Sequence, residues 1–341
     1  MSDAANGLSR RKFIRVATGA LALASTPFSA SVFADKPRSA FGGPTPNRDF
    51  YVTSYGVTPV VDVNRWSLKI HGLVQRPLTI TYAEITRMPS IRQFLTLECI
   101  GNPSDGNAIG NAEWTGLELK PLLDRAGIKP SAVYAAMRAA DGYYTGVPIA
   151  ELMRQENWLV YRMNGEPLPL EHGFPLRIFI PGKYGMKQPK WLTEIELIDR
   201  PFIGYWEARG WSNEAWREVN SGFFYPRRPS GILDILSFDT SAKVTGPIDL
   251  TGWALAGPSG IRRVEVSTDS GATWHAARLL ENSSPYIWTV WRYHFAPTTP
   301  GDYLVRIRAT DGNGITQPES YTERSSGATS QPRLRLSVTA V

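Results

Sequence analysis

The residues of this 341-residue chain that could do chemistry begin with its one cysteine, Cys99, in the stretch Phe94-Leu-Thr-Leu-Glu-Cys-Ile-Gly-Asn-Pro103. A single cysteine closes no intrachain disulfide, builds no Cys-x-x-Cys zinc or redox site, holds no iron–sulfur cluster and cannot attach a c-type haem. On the residues alone two readings of the thiol stay open. One is a small buried hydrophobe, the usual fate of an unoxidised cysteine. The other is a thiolate ligand or nucleophile at a strand end, beside the breaker Gly101-Asn102-Pro103, where tight turns assemble sites. A Cys–His hydrolase is the rival within the second reading, and His172 is the histidine in a motif-like setting in the first domain.

A second group is basic. His172, Arg177, Lys183, Lys187 and Lys190 fall within the Met163–Trp191 stretch, interleaved with Gly and Pro. Arginine offers a rigid fork to an anion and lysine a point charge, and the interleaved Gly and Pro argue for a shaped anion pocket over a solvated basic face. No Gly-x-x-x-x-Gly-Lys-Ser/Thr loop is present, which argues against a P-loop nucleotide, and no Gly-x-Gly-x-x-Gly follows a strand. Among the 11 tryptophans, Trp206, Trp211 and Trp216 lie close together, and packing is the ordinary role of such residues.

The elements that must position these groups are short. Trp66, Leu68 and Ile70 alternate on one face of a strand, with His71 on the polar face. Thr81-Tyr-Ala-Glu84 is a capping box opening a helix that stops by Pro89. Leu95, Leu97 and Cys99 share a phase, with Glu98 pointing away. Leu119, Leu122, Leu123 and Ala126 follow helical spacing and Gly127 ends it. Leu176–Ile180 and Trp191–Ile198 read as strands. Beyond the Pro/Gly/Ser stretch 226–231, suited to a linker, the chain reads as strands and turns: Val264 and Val266, then Val305, Ile307 and Ala309, then Leu334, Leu336 and Val338 alternate. Such spacing predicts a β-sandwich of about a hundred residues.

At the amino terminus, Ser9-Arg-Arg-Lys-Phe-Ile-Arg15 precedes a weakly apolar run rich in Ala, Ser and Thr, and Val32-Phe-Ala34 suits a cleavage point. This reads as a twin-arginine export signal over residues 1–34. The segment carries four cations against one acid, so its removal lowers the net charge from +6 to +3. That excess gives little support to nucleic-acid binding.

These motifs resemble the sulfite oxidase family of molybdenum enzymes. The resemblance rests on Leu97-Glu-Cys-Ile-Gly-Asn102, Ile109-Gly-Asn-Ala-Glu-Trp-Thr-Gly116, Met163-Asn-Gly-Glu-Pro-Leu-Pro169 and His172-Gly-Phe-Pro-Leu-Arg177, and on the Val264–Trp274 and Trp288–Trp291 stretches. It implies an α+β chain with a mixed molybdopterin-binding domain over 35–228. An immunoglobulin-like β-sandwich over 229–341 would follow, through which the chain dimerises. It implies a mononuclear molybdenum–molybdopterin cofactor whose one protein thiolate is Cys99. Tyr51, Val52 and Thr53 would lie near the pterin, and Asp141, His172, Arg177, Gln188 and Lys190 around its ring and phosphate. The reaction implied is periplasmic two-electron oxygen-atom transfer on a small sulfur-containing oxyanion, with electrons passed to a separate carrier, a c-type cytochrome. This sequence departs from the sulfite-oxidising pattern in three places: Thr53 stands for an arginine, Trp211 for a tyrosine, and Pro103-Ser104 for paired arginines. Arg209, two residues before Trp211, is the candidate to replace the missing charge, and Trp211 would make the pocket more apolar. An oxide (sulfoxide-type) reductase and a non-catalytic exported binding protein are the alternatives.

Overall fold

Trp66, Leu68 and Ile70 are buried as their alternation predicts, around the strand β1 (Ser67–Gly72). The structure, a computed structural model, describes residues 43–226, 239–280, 282–320 and 325–341. The export segment expected over 1–34 and most of the linker expected over 226–231 lie outside the described residues.

β1 pairs antiparallel with β2 (Leu78–Thr81), whose last residue caps α1 (Tyr82–Ile85). Thr81 Oγ1 accepts from Glu84 N–H while Glu84 Oε2 accepts from Thr81 N–H at 2.8 Å, so two otherwise orphaned donors are satisfied together. There follow β3 (Ile91–Glu98), β4 (Ile109–Glu118) and α2 (Lys120–Ala126). Gly127 ends α2 in the left-handed region at φ 68°, which a glycine occupies without strain. Next come β5 (Tyr134–Ala139), β6 (Tyr144–Pro148), α3 (Ile149–Leu152), β7 (Trp158–Met163), β8 (Glu166–Pro167), β9 (Arg177–Phe179) and β10 (Leu192–Ile198).

Two compact units interleave along the chain. The first holds Val52–Leu95 and Ala112–Trp216. Its main sheet has the order β2-β1-β10-β5-β6, with β1 and β10 parallel and the other pairs antiparallel. A second sheet runs β3-β4-β7-β8, with β9 on β7. Leu68 and Ile70 of β1, Leu122, Leu123 and Ala126 of α2, and Ile195 and Leu197 of β10 meet in one core. Burial of each large side chain there contributes about 1.5–3 kcal/mol.

The second unit takes Thr96–Asn111, the described residues of 43–51, and the chain from Arg217 onward. Its strands are β11 (Asn220–Tyr225), β12 (Asp239–Val244), β13 (Ile248–Leu255), β14 (Ile261–Ser267), β15 (His275–Ala276), β16 (Arg278–Leu279), β17 (Thr289–Phe295), β18 (Gly301–Asp311) and β19 (Arg333–Val338). They form two sheets, β11-β13-β17-β16 and β12-β19-β18-β14-β15. The alternating Val264, Val266, Val305, Ile307, Ala309, Leu334 and Leu336 meet Leu250 and Trp291 in the core between them. Among the described residues of the chain, strands far outnumber helices. Its α-helices among the described residues have four, seven and four residues.

Candidate functional site

Within the second unit, Cys99 is the first residue past β3 and keeps part of its surface. Its N–H donates to Ala108 O at 2.9 Å and its carbonyl accepts from Asn102 N–H at 2.9 Å. Asn102 Oδ1 in turn accepts from Ala108 N–H. The alternation that pointed Glu98 away from the core does not expose it: Thr96 and Glu98 are both 0% exposed. The end of β3 is covered on both faces. Thr96 N–H donates to Tyr286 O and Thr96 Oγ1 accepts from Trp288 N–H, while Glu98 Oε1 accepts from the side-chain amides of Asn102 and Asn220. The loop beyond Cys99 is also fastened: Asp105 N–H donates to Ser221 O, and Asp105 Oδ1 accepts from Phe223 N–H at 2.7 Å. Tyr51, of the same unit, stacks on Phe50 with ring centroids 5.4 Å apart.

Within the first unit, the run from His172 to Lys190 folds back on itself. His172 closes the 3-10 turn Leu170–His172 and is buried, and its carbonyl accepts from Arg177 Nη1 at 3.1 Å. Arg177 starts β9 at 3% exposure, its guanidinium 4.8 Å from the Phe179 ring centroid and 5.6 Å from that of Trp114. Lys190 donates to Glu171 O at 2.7 Å and to Ser54 Oγ at 3.3 Å, with its ammonium 4.3 Å from the Trp191 ring centroid. Burial, reinforced by the nearby Arg177 charge, pulls the Lys190 ammonium down to about 7. Asp141 is pushed up by burial, partly opposed by its acceptance of the Tyr143 N–H at 3.0 Å and by Lys190. Gly173 sits at φ +115° between the two cations, and a Cβ there would lie 3.1 Å from Lys190 Cβ and 3.3 Å from Arg177 Cβ. The missing side chain lets the two basic stems approach.

Gln188 serves differently from its neighbours. Its Oε1 accepts from Ile180 N–H and its Nε2 donates to Lys183 O at 2.7 Å, so the amide pins its own loop. Val52, Thr53 and Ser54 are half-buried, and the Thr53 hydroxyl oxygen is buried with no hydrogen-bond partner among the described residues. Ser54, missed on the sequence, is the residue of this segment that reaches Lys190.

Lys183 and Lys187 do not belong to an anion pocket as their spacing suggested. Both are 0% exposed. Lys183 pairs with Glu151 at 2.6 Å, donates to Glu214 O and lies 3.9 Å from the Trp216 ring centroid. Lys187 pairs with Glu207 and donates to Gly146 O and to Asn213 Oδ1, each at 2.9 Å. Desolvation lowers both ammonium groups and the paired carboxylates oppose it. Their charges are spent on fastening the segment 207–216, which carries two of the expected site residues. Trp211 is 8% exposed, its N–H donating to Trp206 O. Arg209 is half-buried, stacked 3.4 Å from the Tyr205 ring centroid and donating to Tyr205 O at 2.8 Å. Tyr205 in turn meets Tyr55 edge-on at 4.4 Å.

The donor set suits a molybdopterin. A soft thiol stands on a constrained turn, two cations converge beside a glycine, the Lys190 ammonium donates to a hydroxyl and a main-chain carbonyl, and the Thr53 hydroxyl is buried with no hydrogen-bond partner among the described residues. Among the described residues no group of three or more His, Cys, Asp or Glu could hold a metal ion. The basic cluster of the first unit suits an anionic group, and the thiol of the second unit suits a soft metal.

Comparison with known proteins assigns the class. Residues 55–206 match the oxidoreductase molybdopterin binding domain, a span that includes Cys99, Asp141, His172, Arg177, Gln188 and Lys190, and residues 234–340 match the Mo-co oxidoreductase dimerisation domain. The chain is 28% identical over 319 residues to the mitochondrial sulfite oxidase of Drosophila melanogaster, covering 81% of this chain and 56% of that one. It is 29% identical to the sulfite oxidase of Arabidopsis thaliana, covering 77% of each. It is 31% identical over 150 residues to the uncharacterized oxidoreductase YuiH of Bacillus subtilis, 44% of this chain and 74% of that protein. In fold it is similar to the sulfane dehydrogenase SoxCD of Paracoccus pantotrophus, with a TM-score of 0.70 at 22% identity over 93% of this chain and 86% of that one. The chain belongs to the sulfite oxidase family of molybdopterin-dependent oxidoreductases, and its cofactor is a molybdenum–molybdopterin.

Proposed function

We propose that this chain oxidises a small sulfur-containing oxyanion of the sulfite type by two-electron oxygen-atom transfer, with Cys99 as the one protein ligand to molybdenum. When bound, the metal in its pterin dithiolene supplies the redox change. The polypeptide's part is to hold and orient. Arg177 and Lys190 carry the anionic end of the cofactor, His172 and Asp141 flank its ring system, Thr53 offers its buried hydroxyl, and Tyr51 and Val52 contribute surface. Arg209, kept in place by Tyr205, offers the cation that attracts the substrate, and Trp211 makes the substrate's surroundings more apolar. The observation that carries the reading is the Arg177–Lys190 arrangement about Gly173, two basic groups converging, with the Lys190 ammonium donating to Ser54 Oγ and Glu171 O.

The electron acceptor in this reading is a separate c-type cytochrome, taking electrons singly. The Arg10-Arg11 signal supports export in the folded state to the periplasm, and the match of 234–340 to a dimerisation domain supports an immunoglobulin-like sandwich serving a homodimer. Among the described residues no helix is long and apolar enough to cross a membrane.

Metal analysis of purified protein, expressed with cofactor supply, tests the reading. About one molybdenum per chain is expected, and its absence ends the proposal. Cys99→Ala should abolish turnover while leaving the fold intact. The absence of a cation at Thr53 is the observation favouring a neutral oxide as substrate. Sulfoxide reduction with an artificial donor, set against sulfite oxidation with an artificial one-electron acceptor, fixes the direction.

A further inference from the structure

We propose that Glu98 is a positioning residue for Cys99, its buried carboxylate holding the turn that presents the thiolate. The inference rests on the reading of Cys99 as the metal ligand. A carboxylate at the last position of the buried half of β3 is costly to bury unless it is paired and hydrogen-bonded, and a valine or leucine would serve packing alone. Here the surroundings are polar and equally buried: Asn102 is 1% exposed, Asn220 0% and Arg217 5%.

The contacts converge on one side chain. Asn102 Nδ2 donates to Glu98 Oε1 at 3.0 Å and Asn220 Nδ2 to the same oxygen at 2.7 Å, while Arg217 Nε stands 3.7 Å from Oε2. Arg217 Nη2 donates to Thr96 O, returning to the strand two residues before Glu98. On the other side of the cysteine, Asn102 N–H donates to Cys99 O and Asn102 Oδ1 accepts from Ala108 N–H. Cys99 is thus bracketed by residues that one carboxylate ties together. Arg217 and Asn220 arrive about 120 residues later in the chain, in the lead-in to β11 and at its first residue. Networks of this kind select one conformation, and a metal ligand needs its geometry held within ~0.5 Å.

The test uses the full-length chain in two hosts, one unable to make the cofactor and one that supplies it. In the cofactor-free chain, iodoacetamide reads the mobility of the turn through the rate of Cys99 alkylation. In the loaded chain, molybdenum per chain and the Mo(V) paramagnetic resonance spectrum read the ligand. Glu98→Leu and Asn220→Ala are expected to alkylate at least ~5-fold faster, to retain less than about half the metal and to alter the spectrum. Glu98→Gln keeps an acceptor for both amides and is expected to stay within about twofold of the parent rate. Parental alkylation, loading and spectrum in folded Leu and Ala variants overturn the proposal, as does a Gln variant as reactive as the Leu variant. Should Glu98→Leu fail to fold, Asn220→Ala decides, because it leaves the Glu98–Arg217 pair in place. Cys99→Ser separates the two readings. Full metal retention in it defeats the ligand assignment, whereas metal loss in it beside parental Glu98 and Asn220 variants defeats only the positioning role.

Discussion

Lys187 sets its ammonium against the Glu207 carboxylate with both side chains sealed from solvent, 0% and 1% exposed. Thr145 donates to the same carboxylate oxygen at 2.7 Å and Asn213 accepts from the lysine, so a buried pair with its own hydrogen bonds anchors the turn that ends in Arg209.

Removing one partner strands the other. Glu207→Leu and Lys187→Met are each expected to destabilise the protein by about 3–5 kcal/mol, whereas replacing both together by apolar residues costs less. Urea denaturation of the single and double variants measures this. A double variant as unstable as the sum of the singles contradicts it.

The pH dependence of anion binding follows from Lys190. Its pKa is lowered to about 7, chiefly by burial, and an anion binds the protonated form. Affinity is therefore full below that value and falls as pH rises through it, by up to about tenfold per unit. Sulfate, whose charge is constant over this range, is the probe for calorimetry on the cofactor-free chain. A flat profile from pH 6 to about 8.5 refutes the assignment, and Lys190→Met is expected to flatten it.

Gly173→Ala combines a left-handed φ of +115° with a methyl group 3.1 Å from Lys190 Cβ. The backbone strain alone costs about 1–3 kcal/mol, and the added methyl pushes apart the two cations that the glycine lets approach. A lower melting temperature together with reduced molybdenum per chain is the expected result. Unchanged cofactor loading separates the glycine from the site.

Arg209→Met tests the substrate cation directly. The Michaelis constant for sulfite is expected to rise roughly tenfold with kcat little changed, as loss of a charged hydrogen-bond donor implies. Unaltered sulfite affinity removes Arg209 from substrate binding and leaves it as a partner of Tyr205 alone.

Much of the local structure was legible in residue order because its causes are local. The capping box of Thr81 and Glu84, the stop at Gly127 and the alternation of Val305, Ile307 and Ala309 each depend on neighbours a few residues away. The motif residues around Cys99 and between His172 and Lys190 were legible as a family pattern, and the comparisons bear out the family. Ser54, Gly173, Arg217 and Asn220 were not. Their roles are contacts with other segments of the chain, and the one signal that could have flagged Glu98 was a charge set between Leu97 and Cys99.

By itself, then, the sequence determined the count of thiols, the periodicity of the strands and the class of cofactor. The tertiary structure decided which charges remain available. Five basic residues between His172 and Lys190 look equivalent in one dimension. In the fold Lys183 and Lys187 are neutralised by Glu151 and Glu207, while Arg177 and Lys190 meet across Gly173. Burial and the identity of the nearest counter-charge set what a cation can bind, and both arise only when distant segments pack together.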